Sequence, residues 1–130
     1  MNEYVVDTMG IVLHLEKRRL GARAKEIFTA VIRKEALVII PGIVHAEILS
    51  LSKRNRIKTN LDDIETFLRE NTHCKEYPLS LSVAQSAKDI TDIPELHDRL
   101  IAATARFLNL SLITNDPVIQ GSASVRTIWE

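Results

Sequence analysis

Four acidic residues stand where a parallel α/β fold would gather them at one edge of its sheet. Asp7 directly follows a short apolar run, and Asp116 follows another that ends at Thr114. Glu47 lies one to two turns into the predicted helix after the second strand, and Asp98 lies in the first turn of a later helix. Two carboxylates about 5 Å apart repel each other by roughly 3 kcal/mol at an effective dielectric near 20. A tight quartet of acids therefore favours a divalent cation as its counter-charge.

The types of side chain available narrow the choice of metal and of chemistry. The chain has one cysteine, Cys74, and no pair of histidines at the spacing of a zinc site. Hard oxygen donors favour Mg²⁺ or Mn²⁺, which keep several waters and engage the phosphate oxygens of substrates. Metal-assisted hydrolysis of a phosphodiester is the hypothesis that follows.

Apolar segments without polar alternation predict the strands that would carry these acids. Two such segments, Tyr4–Val6 and Ala36–Ile40, are typical of central strands covered on both faces, and Leu110–Thr114 is a further predicted strand. Tyr77–Leu79 and Val125–Ile128 are shorter segments that we expect at the edges of the sheet.

Helical patterns fill the intervals between these strands. Apolar residues recur at three- and four-residue spacing over Leu20–Ile32, a second helix opens at Pro41, and Asn60 is placed to cap a third. A further helix is predicted from Ser82 to about Ile90, and the clearest one opens at Pro94. The apolar residues of this last helix advance by four, three and four and are Leu96, Leu100, Ala103 and Phe107. Its small residues, Ala102, Ala103 and Ala105, keep its surface slim enough to lie close to a sheet. The alternation predicts a three-layer α/β/α, Rossmann-like domain with a mostly parallel sheet.

Length and composition agree with one globular domain over residues 1–130. The chain is 45% hydrophobic and 26% charged, with no low-complexity linker. It has 17 basic and 17 acidic residues, so its net charge of zero argues against a generic basic nucleic-acid binder. No run of about 18 apolar residues predicts a membrane span. A single cysteine suits a reducing compartment, and we expect a cytoplasmic protein.

Two basic stretches could hold a polyanion locally. Lys53, Arg54, Arg56 and Lys58 follow the helix of Glu47. A second group surrounds the predicted start of the first helix and consists of Lys17, Arg18, Arg19, Arg23 and Lys25. We expect both near the acidic edge, where they could bind phosphates or serve only as charged helix ends.

Four segments of the chain together resemble the motifs of PIN-domain ribonucleases, especially the VapC-type toxins. They are Tyr4–Thr8, Pro41–Leu49, Pro94–Ala105 and Leu112–Asp116, and they cover essentially the whole chain in the family's order. The resemblance implies that Asp7, Glu47, Asp98 and Asp116 form an acidic metal site, with Thr8 and Thr114 as supporting hydroxyls. One position departs from the family, because Met9 stands where a small polar residue is common.

The resemblance also implies an activity and partners. Family members are Mg²⁺- or Mn²⁺-dependent endoribonucleases that cut single-stranded or loop RNA by attack of a metal-activated water. A VapC-type toxin would bind an antitoxin that covers the groove, and would form a homodimer. An apolar face around Ile57, Ile64, Phe67 and Leu68 could serve the dimer, although such residues are also typical of a core.

Other interpretations stay open at this point. The chain could be a PIN-like module that binds RNA or protein with weak or no nuclease activity, or a housekeeping nuclease rather than a toxin. A phospho-receiver domain also has an acid at a strand end, but it needs a late strand-end lysine, and no lysine follows Lys88.

Overall fold

Strands and helices alternate along the chain, and the computed structural model describes residues 1–130. The strands are β1 (Asn2–Val6), β2 (Ala36–Pro41), β3 (Cys74–Tyr77), β4 (Ser111–Ile113) and β5 (Thr127–Ile128). The helices are α1 (Thr8–Leu15), α2 (Ala22–Ile32), α3 (Gly42–Lys53), α4 (Leu61–Glu70), α5 (Leu81–Ser86), α6 (Leu96–Leu108) and α7 (Pro117–Gln120).

The five strands form one sheet in the order β3-β2-β1-β4-β5, and every neighbouring pair is parallel. In the register, Val5 of β1 lies between Ile39 of β2 and Leu112 of β4. The predicted three-layer fold with a mostly parallel sheet is confirmed, and the sheet is parallel throughout. Because the strands share one direction, the segments that follow β1, β2 and β4 emerge side by side at one edge.

The core lies on both faces of the three central strands. Val5, Val6, Val38, Ile40 and Leu112 are fully buried, and side chains of successive residues are buried without alternation. Helices covering both sheet faces produce this pattern. No helix of the structure is long and apolar enough to cross a lipid bilayer.

The segment after Asp7 differs from the sequence-based prediction, which placed one helix between the first two strands. Two helices occupy this interval, because residues Thr8–Leu15 form α1 on their own. Gly10, Ile11, Val12 and Leu13 are all buried in α1, so the helix has no polar face to reveal a 3.6-residue period.

Helix α6 is buried through the small residues expected to lie close to the sheet, but the ends of its predicted apolar stripe are exposed. Ala102 and Ala105 are buried, together with Ile101, whereas Leu96 and Phe107 are 56% and 43% exposed. Ala103, the remaining small member of the predicted stripe, is buried as expected. The small alanines let the helix lie close to the sheet, which leaves the larger side chains on the outside.

Three element boundaries shift relative to the sequence-based prediction. Pro41 ends β2 and precedes α3 rather than lying in its first turn. The edge strand β3 ends before Pro78, which lacks the N–H that a further ladder bond would need. Helix α5 is shorter than predicted and begins where Ser80 Oγ accepts a hydrogen bond from Val83 N at 3.2 Å.

Helix α4 begins at the predicted cap. Asn60 Oδ1 accepts from Asp63 N at 3.0 Å, and Asp63 Oδ2 accepts from Asn60 N at 2.9 Å, which completes a capping box. The face suggested for a dimer is not free, because Ile64 and Phe67 are buried. Ile57 and Leu68 pack against the same core.

Candidate active site

The four acids lie at the carboxyl edge of the sheet. Asp7 follows β1 and caps α1, while Asp116 follows β4 and caps α7. Glu47 lies in the second turn of α3, which begins directly after β2. Asp98 lies in the first turn of α6, a helix that contacts α3, β1 and β4. The ends of β1 and β4 and the first two turns of α3 and α6 therefore carry the four carboxylates.

The Asp7 carboxylate is held by hydrogen bonds to both of its oxygens. Only 6% of this residue is exposed, and Oδ1 accepts from Gly10 N at 2.7 Å. Oδ2 accepts a short bond from the hydroxyl of Thr114, whose Oγ1 in turn accepts from Asp116 N at 3.0 Å. Thr114 thus connects the acids that follow β1 and β4 and fixes the orientation of Asp7.

The second hydroxyl, on Thr8, connects the acids on the other side of the site. Thr8 Oγ1 donates to Glu47 Oε1, so that the start of α1 is joined to the second turn of α3. Thr8 is buried and Glu47 is half-buried.

Glu95 fixes the start of α6 beside Asp98. Its Oε2 accepts from Asp98 N at 2.7 Å, and its Oε1 lies 2.7 Å from His97 Nδ1. Glu95 therefore acts as the N-cap of α6 and adds a fifth negative charge near the quartet. From sequence, acids at a helix start are too common to mark this role.

The four carboxylates influence one another electrostatically. Burial raises the pKa of Asp7 to about 6, and the charges of Asp116 and Glu47 act in the same direction. Burial likewise raises the pKa of Asp98 to about 6, with further increases from Glu95, Asp116, Glu47 and Asp7. Like charges that share a partly buried edge disfavour ionisation of their neighbours.

No positive side chain of the protein pairs with Asp7, Glu47, Asp98 or Asp116, because the six ion pairs involve other residues. No three His, Cys, Asp or Glu residues are placed to hold a metal ion together. Uncompensated carboxylates repel one another, and Mg²⁺ is usually held by only one or two carboxylates plus waters and substrate phosphates. The donor chemistry fits a hydrated hard cation rather than a preformed cage.

Gly10 is a site residue that the sequence analysis missed. A Cβ at this position would lie 2.7 Å from Val6 Cγ2 and 2.9 Å from Asp7 Oδ1, closer than real contacts allow. A glycine three residues after a strand-end acid was the available signal. Met9 packs against the core. The groups that hold Asp7 are therefore the N–H of Gly10 and the hydroxyl of Thr114.

The predicted basic residues lie beyond the end of α3. Lys53 ends this helix, and Lys53, Arg54, Arg56 and Lys58 are all exposed. Lys53 is six residues past Glu47, or about 9 Å along the helix axis. Arg56 and Lys58 line a groove of about 550 Å³ together with Arg18 from the other basic stretch.

Solved structures with the same fold include VapBC complexes and a VapC toxin. VapBC2 from Rickettsia felis, bound to a DNA fragment from its promoter, matches with a TM-score of 0.74 at 20% identity over 98% of this chain and 99% of that chain. DNA-bound VapBC from Salmonella typhimurium matches with a TM-score of 0.69 at 13% identity over 98% of both chains. VapC20 from Mycobacterium tuberculosis, described as a Sarcin-Ricin loop cleaving toxin, matches with a TM-score of 0.64 at 17% identity over 95% of this chain and 98% of that one.

No curated protein matches this sequence significantly. The family model for the PIN domain, however, matches residues 4–121, a range that includes all four acids and both supporting threonines. The parallel sheet, the order of its elements and this match agree, and the chain belongs to the PIN domain family.

Proposed function

We propose that this protein is a Mg²⁺- or Mn²⁺-dependent endoribonuclease that cleaves single-stranded or loop RNA, and that it is the toxin of a toxin–antitoxin pair in the cytoplasm. The observation that carries the proposal is the unpaired acidic edge, where Asp7 and Asp98 both have a pKa of about 6. Strongly perturbed acids gathered at a strand edge are typical of functional sites.

Each residue of the site has a role in this proposal. Asp7, Glu47, Asp98 and Asp116 would hold the cation, and the hydroxyls of Thr8 and Thr114 keep two of these carboxylates in fixed orientations. A divalent ion bound there would lower the pKa of a water and neutralise charge on the phosphate oxygens. Lys53, Arg54, Arg56 and Lys58 would bind phosphates of the RNA outside the cleaved bond.

A second candidate is a PIN module that binds RNA without cleaving it. One observation favours it: no three side chains are already placed to hold a metal ion. The two candidates differ in whether the protein hydrolyses RNA when the metal is supplied.

The test is cleavage of single-stranded RNA with Mg²⁺ or Mn²⁺, measured for the unmodified protein and for Asp98→Asn. We expect the substitution to lower the rate by at least about 100-fold, and EDTA to abolish cleavage. Asp89→Asn is the matched control, because Asp89 is exposed and is not among the charges that raise the pKa of Asp7 or Asp98. Cleavage that survives both EDTA and Asp98→Asn would contradict the metal mechanism, while no cleavage of any RNA would favour the binding module.

The proposed partners follow from the resemblance and from the VapBC complexes among the similar structures. We propose that an antitoxin covers the acidic edge with an Arg or Lys side chain, which can replace a cation among crowded carboxylates.

We also propose a homodimer. Its surface would be an apolar face on α5 and α6 that carries Leu81, Leu96 and Phe107, which are 76%, 56% and 43% exposed.

A further inference from the structure

Glu16 is the one carboxylate in a groove whose other charged residues are all cations. It follows the last residue of α1, and it lines the 550 Å³ groove with Arg18, Arg56 and Lys58. A negative charge among these cations should repel a polyanion. Its contacts show instead that the Glu16 carboxylate accepts hydrogen bonds from another loop of the protein.

One oxygen of Glu16 accepts three hydrogen bonds from the loop between α3 and α4. Oε2 accepts from Lys58 N at 3.0 Å, from Thr59 N at 3.0 Å and from Thr59 Oγ1 at 2.7 Å. The other oxygen lies 3.4 Å from Arg18 Nη1. The Glu16 side chain is only 10% exposed, and Thr59 is 2% exposed. The carboxylate therefore joins two loops that are more than 40 residues apart in sequence.

The loop that follows Glu16 is held at both ends. At its start, Lys17 has a left-handed backbone (φ 55°), and Arg18 N donates to Leu13 O at 2.9 Å. At its end, a Cβ on Gly21 would lie 2.2 Å from Trp129 O, so the two backbones are in direct contact. Arg18 and Arg19 therefore extend from a backbone whose position is fixed.

The two loops together form one cationic surface that reaches the acidic edge. Arg18 and Arg19 line a groove of about 340 Å³ with Asn115, the residue directly before Asp116, and with Glu130, whose Oε1 lies 4.0 Å from Arg19 Nη2. Arg18 also lines the groove of Arg56 and Lys58. We call Arg18, Arg19, Arg56 and Lys58 the basic strip. A protein with no net charge needs such a local concentration of cations to hold a phosphate backbone.

We propose that the basic strip binds the backbone of an RNA strand leaving the acidic edge, and that Glu16 is the positioning residue that aligns its two halves. This inference rests on the proposed ribonuclease function. It adds the path of the substrate. It also gives Glu16 a role in RNA binding, although its negative charge would by itself weaken binding.

Glu16→Ala and Glu16→Gln separate the two effects of this residue. Both remove the negative charge, but only alanine also removes the oxygen that accepts the three hydrogen bonds. We expect Glu16→Ala to weaken RNA binding about fivefold and Glu16→Gln to leave it unchanged or tighter. If Glu16 acted only by its charge, both variants would bind RNA more tightly.

Binding is measured with a labelled single-stranded oligouridylate of about 12 nucleotides in EDTA, by fluorescence anisotropy over a range of salt concentrations. Arg18→Ala and Arg56→Ala should each lower the slope of log K against log salt by about 0.7. Arg33→Ala is the matched control, because Arg33 is exposed, forms no ion pair and follows α2 at the opposite edge of the sheet. It should not change the slope.

Two further measurements separate loss of the Glu16 contacts from loss of the fold. Thr59→Val removes only one of the three hydrogen bonds and should weaken binding less than Glu16→Ala, and thermal unfolding shows that each variant is folded. Equal affinities for Glu16→Ala and the unmodified protein would overturn the inference even if cleavage is normal. Binding with the expected slopes but no cleavage would leave the inference standing and contradict the ribonuclease proposal.

Discussion

Asp98 is a residue whose negative charge opposes folding. Its pKa is raised from the ordinary 3.8 to about 6 in the folded protein, so the folded state binds the proton more tightly than the unfolded state. The stabilisation from that proton is complete below about pH 4 and is lost as the pH rises through about 6. At neutral pH without metal, the ionised carboxylate therefore destabilises the fold.

Replacing Asp98 by Asn should therefore raise stability when no divalent ion is present. At pH 7.5 in EDTA, we expect Asp98→Asn to unfold about 3 °C above the unmodified protein, or about 1 kcal/mol after allowance for solvent screening of a half-exposed group. Differential scanning calorimetry measures the shift. At pH 4 the difference should disappear, and an equal or lower unfolding temperature at pH 7.5 would contradict the electrostatic account.

At the scale of single residues, the sequence indicated the four acids and two nearby hydroxyls but not which hydroxyl holds which acid. Asp7 and Asp116 could be placed because they follow apolar segments, and Glu47 and Asp98 because they lie in the early turns of predicted helices. The bond from Thr114 to Asp7 joins residues 107 positions apart, and no local pattern shows which hydroxyl meets which carboxylate. That the four acids act together as a metal site stays a prediction.

At the scale of elements, the capping box of α4 offers a direct test of local stability. Asn60→Ala removes the oxygen that accepts from Asp63 N and should lower the free energy of unfolding by about 1 kcal/mol. Asn60→Ser keeps a capping oxygen and should cost only a few tenths of that amount. Urea unfolding measures both. A loss as large for serine as for alanine would show that the cap is not the cause.

Elements with a simple burial pattern were predicted well, and those without one were not. β1 and β2 are apolar on both faces and were found within one or two residues of their observed bounds. Helix α1 is buried nearly all round, so it lacked the polar face that identifies a helix. In α6 the alanines expected to lie close to the sheet are buried, whereas Leu96 and Phe107 of the predicted apolar stripe are exposed.

At the scale of the whole molecule, the exposed face of α5 and α6 predicts the oligomeric state. We expect light scattering to give the mass of two chains. In a symmetric dimer, the exposed apolar residues of α5 and α6 in one chain would cover the same residues of the other. Leu96→Asp combined with Phe107→Asp should shift the mass to one chain. Ile32→Asp is the matched control, because Ile32 is 53% exposed on α2, outside this face. One chain for the unmodified protein would reject the dimer.

The fold class and the parallel sheet could be predicted from the alternation of strands and helices, but the order of the strands could not. That order depends on contacts such as the one between β1 and β4, whose paired residues lie more than 100 positions apart. Pairing over such separations leaves no local signal in the sequence.

The central position of β1 has a consequence for synthesis on the ribosome. Chains emerge from the ribosome N-terminus first at roughly 5–20 residues per second, and β4, which brings Thr114 and Asp116 to Asp7, is made more than 100 residues after β1. A nascent polypeptide that ends before β4 therefore lacks the strand that completes the acidic edge. The edge can assemble only once β4 has left the exit tunnel and paired with β1.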